Sequence, residues 1–221
     1  MNLIFINGTM GAGKTTTARA LQKIMPPCVF SDGDNFWDMH PFAVNERSKR
    51  MVLQNISAVL SNFLESGLFE NILFCWVMHE ESIVKEILSR MPGLPFRFFL
   101  FTLTCGERTL TERLAADVAA GARSGGIFAR SKDRAARYDE MLSCKIDTDG
   151  RSPEESAALI AKAVRGEILL LPYKATAYLT PEARAIREEV FMREQGFAEE
   201  FDGRDENCLH LTFYKDGEPA A

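Results

Sequence analysis

Gly8-Thr-Met-Gly-Ala-Gly-Lys-Thr15 is the stretch on which the reading of this chain turns. It follows the apolar run 3–6, which has the length and composition of a short buried strand. It leads into Lys14–Ile24, which reads as a helix stopped by Pro26 and Pro27. Glycines at 8, 11 and 13 permit backbone conformations closed to other residues, so successive N–H groups turn inward at the positive end of the next helix. Such a cradle holds phosphate oxygens. The spacing satisfies G-x-x-x-x-G-K-[ST], in which Lys14 reaches the β and γ phosphates and the Thr15 hydroxyl reaches Mg2+.

Outward from this loop, strand and helix patterns alternate. Residues 29–31 read as a second strand ending in the acidic turn Asp32-Gly33-Asp34. Residues 46–65 read as a helix with Val52, Ile56, Val59, Leu60 and Phe63 on one face, ended by Gly67. Runs 72–77 and 96–103 are apolar throughout, as strands covered on both faces should be, and 145–147 supplies a fifth. Helical patterns fill 80–91, 107–120 and 131–142, and Ser152-Pro-Glu-Glu155 is a capping-box start for another. The Gly- and Arg-bearing stretch 121–130 reads as a flexible cover over a site. Residues 1–168 are therefore expected to form an α/β P-loop fold of three layers around a five-stranded parallel sheet. Around 166–172 the pattern restarts. Residues 173–221 read as a small, incomplete α+β segment: a strand over 173–179, a helix from Thr180 to 195 and a strand over 209–214.

Composition excludes several classes. Of 221 residues 46% are hydrophobic and 26% charged, which suits a packed globular chain, and no apolar run approaches the roughly 20 residues of a membrane helix. Residues 174–221 hold 11 acids and 6 bases, so the tail accounts for the whole net charge of −5. Neither half offers a basic footprint for nucleic acid or an anionic membrane. The apolar start lacks a basic flank, so a cytoplasmic location is expected. Five cysteines (Cys28, Cys75, Cys105, Cys144, Cys208) form no Cys-x-x-Cys pair and are expected to be reduced and mostly buried.

The loop 8–15 resembles the Walker A motif of P-loop nucleotide-binding proteins. Together with Ser31-Asp-Gly-Asp-Asn35 it resembles the small-molecule P-loop kinases of the shikimate, gluconate and adenylylsulfate kinase group, in the nucleoside monophosphate kinase superfamily. The resemblance implies a nucleotide site made by Gly8, Thr9, Met10, Gly11, Ala12, Gly13, Lys14, Thr15 and Thr16, with ATP and Mg2+ as cofactors and Thr15 at the metal. It implies an aspartate at the acceptor hydroxyl, Asp32 first and Asp34 second. Arg113, in Glu112-Arg113-Leu114, matches the arginine set against the adenine ring, whereas position 117, where such families commonly carry another arginine, is Asp. A lid arginine is expected from Arg123, Arg130, Arg134 and Arg137, with Arg130 as the catalytic candidate. Lys145-Ile-Asp-Thr-Asp-Gly150 resembles the last strand and adenine-side turn of these kinases. No acid directly follows the third apolar run, Cys75-Trp-Val-Met-His-Glu80, which leaves His79 and Glu80 as candidates for a Walker B role. Trp37, His40 and Phe42 are candidate walls of an acceptor pocket.

The tail, with Ile186-Arg-Glu-Glu-Val-Phe-Met-Arg-Glu-Gln-Gly196 and Cys208-Leu-His-Leu-Thr-Phe-Tyr214, resembles the opening of a GNAT-type N-acetyltransferase. The acetyl-CoA elements of that family would lie further on, so the resemblance implies no acetyl transfer and an unfinished sheet edge. Either the chain is cut short or the segment serves for packing or for pairing in a homodimer. His210 reads as a strand residue. The sequence thus points to an ATP-dependent phosphotransferase moving the γ-phosphoryl group to a hydroxyl or phosphate of a small metabolite. Two alternatives stand beside it: a non-transferring ATPase or nucleotide-controlled binding module, and a fragment of a kinase and acetyltransferase fusion.

Overall fold

The structure is a computed structural model. It describes residues 1–91, 93, 95–121, 127–198, 200, 201, 203 and 205–220, and at residues 127, 130, 132 and 207 the backbone alone. In chain order the first part runs β1 (Asn2–Gly8), α1 (Lys14–Ile24), β2 (Cys28–Asp32), α2 (Glu46–Ser66), β3 (Asn71–Cys75) and α3 (Glu81–Ser89). It continues with β4 (Arg97–Thr104), α4 (Glu107–Ala119), α5 (Ile127–Asp139), β5 (Cys144–Asp147) and α6 (Pro153–Arg165). The five strands form one parallel sheet in the order β2-β3-β1-β4-β5. This is the three-layer P-loop arrangement expected from the alternation of elements.

The period of two along β1 divides the core. Ile4 and Ile6 face a layer of α1 and α6, meeting Ala18, Leu21, Ala157 and Ile160. Leu3 and Phe5 face α2, α3 and α5, meeting Val52, Ile56, Leu60 and Met141. Helix α2 buries Val52, Ile56, Leu60 and Leu64, a stripe of strict i,i+4 steps, and leaves Val59 and Phe63 half-buried. The Ser152 capping box at α6 is present, with Ser152 Oγ accepting from Glu155 N at 3.1 Å and Glu155 Oε2 from Ser152 N at 2.8 Å. Among the described residues no helix is long and apolar enough to cross a membrane.

A buried polar chain links β1, β4 and the start of β5. Asn7, fully buried, donates to Met78 O at 2.8 Å, accepts from Thr102 Oγ1 at 2.5 Å, and Thr102 meets Ser143 Oγ at 2.6 Å. Each member satisfies the next, so the strand ends that carry the site share one register.

The tail forms a second, three-stranded antiparallel sheet of β6 (Tyr173–Thr176), β7 (His210–Lys215) and β8 (Glu218–Pro219). Between β6 and β7 lies α7 (Pro181–Arg187), capped by Thr180, but it runs into π-helical turns over Glu188–Glu194 rather than one α-helix to 195. β6 is stitched to the first sheet. Tyr173 N donates to Ser143 O at 3.1 Å, Lys145 Nζ donates to Tyr173 O at 2.6 Å, and Lys174 pairs with Glu81 at 3.6 Å.

Candidate active site

The sharp turn from β1 into α1 is set by three glycines at positive φ: 139° at Gly8, 89° at Gly11 and 91° at Gly13. Space as well as conformation fixes the first of these, since a Cβ on Gly8 would lie 2.5 Å from Leu103 O. Gly13 caps α1 in the left-handed region without a side-chain bond, so the first N–H groups of the helix remain for a ligand. Lys14 Nζ lies over the loop and donates to Thr9 O at 3.0 Å. The loop is pinned from outside by α5: buried Ser131 donates to Met10 O at 2.7 Å, while Thr9 Oγ1 donates to Ser131 O at 2.7 Å.

At the end of β2, Asp32 stands beside the first turn of α1. Its Oδ2 accepts from Thr15 Oγ1 at 2.8 Å and from Cys75 Sγ at 3.4 Å, and its Oδ1 accepts from Asp34 N at 3.1 Å. Asp32 thereby caps a short 3-10 helix over Gly33–Trp37, where the sequence suggested a plain turn. Burial and the neighbouring Asp32 carboxylate push the Cys75 thiol well above its usual range, so Cys75 is a thiol donor here. Thr15 and Asp32, set beside the glycine loop, offer a hydroxyl and a carboxylate, hard oxygen donors of the kind that suits Mg2+.

These groups line a cleft of about 400 Å3 that also takes in Thr16, Arg113, Asp117, Thr148 and Arg151. Arg113 lines this cleft, held by donation to Thr148 Oγ1 at 2.9 Å and Thr148 O at 3.0 Å. Asp149 accepts from Gly106 N at 2.9 Å, and this bond lowers its carboxyl below the ordinary range while tying the turn after β5 to the start of α4. A second cavity of about 720 Å3 adjoins the cleft and shares Met10, Asp34, Trp76 and Val77 with it. Its remaining wall includes Trp37, Phe42, Val44, Leu53 and Ile83.

The structure sorts the other sequence candidates. Trp37 and Phe42 line the second cavity and His40 does not. His79 lines that cavity with its ring against Val77 O at 3.0 Å, whereas Glu80 pairs with Arg137 at 3.1 Å; neither lines the cleft. The residue at the end of β3 that reaches Thr15 and Asp32 is Cys75 instead. Arg134 lines the second cavity and has no ion-pair partner among the described residues. Arg123 and the side chain of Arg130 lie outside the described residues. His210 sits on β7 with Nε2 at 2.8 Å from Asp205 O. Sequence reasoning missed Trp76, Ser131, Thr148 and Arg151, which are ordinary residue types that acquire a role only where distant segments meet.

No curated protein matches the sequence. Among solved structures, a sugar kinase from Janibacter sp. is similar with a TM-score of 0.57 at 12% identity, covering 75% of this chain and 95% of its own. The Deinococcus radiodurans tunicamycin resistance protein gives 0.55 at 18%, covering 77% and 98%. Shikimate kinase from Acinetobacter baumannii gives 0.53 at 18%, covering 76% and 96%. At these identities the likeness establishes a shared fold, the α/β fold of P-loop small-molecule kinases. The acetyltransferase likeness of residues 173–221 finds no support in these matches. A family model described as an AAA domain matches residues 4–135, more than half of the length, and the chain therefore belongs to the AAA domain family.

Proposed function

We propose that the chain is a Mg2+-ATP-dependent phosphotransferase acting on a hydroxyl of a small molecule, with residues 1–168 as its working unit. The observation that carries this reading is the juxtaposition of two cavities. A glycine-loop cleft opens onto a second cavity through a common wall, and Asp34 stands in that wall. A pure nucleotide switch has no need of the second cavity.

In the reaction, the acceptor hydroxyl oxygen forms a bond to the γ-phosphorus as the bond to the β,γ-bridging oxygen breaks, and ADP leaves. The hydroxyl proton passes to a carboxylate. Asp34 suits that role better than Asp32, because both Asp32 oxygens are occupied by Thr15, Cys75 and the Asp34 amide, while the Asp34 carboxylate is exposed and common to both cavities. This reverses the order of preference drawn from the sequence. Thr15 Oγ1 with Asp32 behind it would hold Mg2+, which when bound neutralises charge on the β and γ phosphates. Lys14 and the loop N–H groups orient the same phosphates, and Arg113 would flank the base.

A second reading, a nucleotide-controlled binding module without transfer, is favoured by one feature: a protonated thiol, Cys75, stands at the end of β3 rather than an acid. Incubation with γ-labelled ATP and a metabolite pool separates the two. The phosphotransferase reading expects label in an organic product, lost in Asp34→Asn with the Mg2+-ATP-induced rise in melting temperature retained. Nucleotide binding with no labelled product from any pool would favour the second reading.

A further inference from the structure

The second cavity carries information about what it accepts, and the inference rests on the phosphotransferase reading above. Its volume of about 720 Å3 lies in the upper part of the range for small-molecule sites and well above the needs of a six-carbon polyol. Its lining is mainly apolar. Trp37 and Phe42, with ring centroids 6.2 Å apart, line it together with Trp76, Leu53 and Ile83. At the mouth, Phe42 is 66% exposed and Val44 58% exposed, so apolar surface stands in water at the entrance.

The cavity carries charges of both signs. Asp34 and Asp38 line it, and neither carboxylate has an ion-pair partner among the described residues. Of the two permanent cations among its described lining residues, Lys49 pairs with Glu46 at 2.8 Å and Arg134 has no ion-pair partner among the described residues. The opposed charges balance, so the apolar lining sets the preference.

We propose that this cavity selects a hydroxylated molecule with an aromatic or fused-ring body. The ring body packs against Trp37, Phe42 and Trp76, and a hydroxyl points to Asp34.

The test exploits the fact that the chain has two tryptophans, Trp37 and Trp76, and both line the cavity. Intrinsic fluorescence thus reports occupancy whether or not phosphate is transferred. With Mg2+ and a non-hydrolysable ATP analogue filling the cleft, the protein is titrated with 3-phenyl-1,2-propanediol and thymidine, then with gluconate and shikimate. A saturable change with at least one neutral probe is expected, at lower concentration than any change given by gluconate or shikimate, neither of which has an aromatic ring. Phe42→Ala, at an exposed position, should weaken the neutral probe about tenfold while leaving the nucleotide-induced rise in melting temperature intact. Tighter binding of gluconate or shikimate, or silence from both neutral probes to about 10 mM, overturns the proposal. Neutral probes that bind yet receive no label from γ-labelled ATP leave the selectivity standing and count against phosphotransfer alone. Label passing to gluconate or shikimate does the reverse.

Discussion

Replacing Gly33 by alanine probes the tightest approach in the site. A Cβ built there would lie 2.3 Å from Trp76 Cγ, 2.6 Å from Trp76 Cβ and 2.7 Å from Trp76 Cδ1. Relief to ordinary contact requires a shift of about 1 Å, and only two parties can move: the Trp76 ring, or the turn carrying Asp32 and Asp34. Gly33 is not among the glycines at positive φ, so its backbone accepts alanine and the whole penalty comes from the collision. Overpacking of this kind costs about 2 kcal/mol, which for a chain of this size lowers the melting temperature by about 5 °C. The assay is thermal denaturation with tryptophan emission recorded on the folded protein, because Trp76 must change its surroundings. Trp76→Gly removes all three atoms, so Gly33→Ala should be nearly silent in that background and the double-mutant cycle should give a coupling close to the full single-mutant penalty. A melting temperature and emission spectrum unchanged in Gly33→Ala, or the same loss with and without Trp76, would refute the reasoning. Were the turn to yield instead, Asp34 would be displaced by about 1 Å, enough to lower turnover by about a hundredfold.

Other perturbations follow from the same contacts. Ser131→Ala leaves Met10 O without its buried donor and should cost about 1–3 kcal/mol by thermal melts; a loss below about 0.3 kcal/mol would mean that α5 does not hold the glycine loop. Lys14→Ala should abolish the melting-temperature rise that saturating Mg2+-ATP gives the parent protein, about 2.7 kcal/mol at a hundred times Kd, and a full rise in the variant would remove Lys14 from the phosphate site. Alkaline pH should destabilise the fold. Burial raises the thiols of Cys28 to about 12, Cys144 to about 11, and Cys75 and Cys105 upward, against about 8.5 unfolded, so their contribution is complete below that value and is lost as pH climbs. Burial lowers Lys145 to about 8, which acts in the opposite sense over the same window. Four groups against one leave a net loss on the order of 2 kcal/mol between pH 8 and 10, after discounting the partly exposed Cys28 and Cys105 for solvent screening. Melts in Cys28→Ala/Cys144→Ala should show a flatter decline, and equal slopes would discredit the thiols as the cause.

What the sequence disclosed was local chemistry. The turn from β1 into α1 is written in three glycines and a lysine within eight residues, and the α6 start in Ser152, Pro153 and Glu155, so both could be read without a fold. The face of α2 could be read only in part: periodicity admitted Val59 and Phe63, but the partners across the layer took Leu64 instead. Strand order was out of reach, because nothing in residues 71–75 says that they lie between β1 and β2. The same holds for Ser131 against Met10, 121 positions apart, and for Trp76 against Gly33. Asp32 was found but its surroundings were not. Its preference for Thr15 and Cys75 depends on the ends of α1, β2 and β3 arriving together, which is the ground for proposing Asp34 in the acceptor role. In the tail, the tight reversal at Asp216 and Gly217, with φ of 53° and 88°, makes the β7–β8 hairpin that the sequence reading passed over.

The wall common to the two cavities is a doorway, and its sill is Trp76 and Val77. On the phosphotransfer reading proposed above, an acceptor hydroxyl seated in the second cavity would meet phosphorus across this apolar sill, where water gains few hydrogen bonds. The wetting of two side chains would then weigh transfer against hydrolysis for any nucleophile that comes from that side.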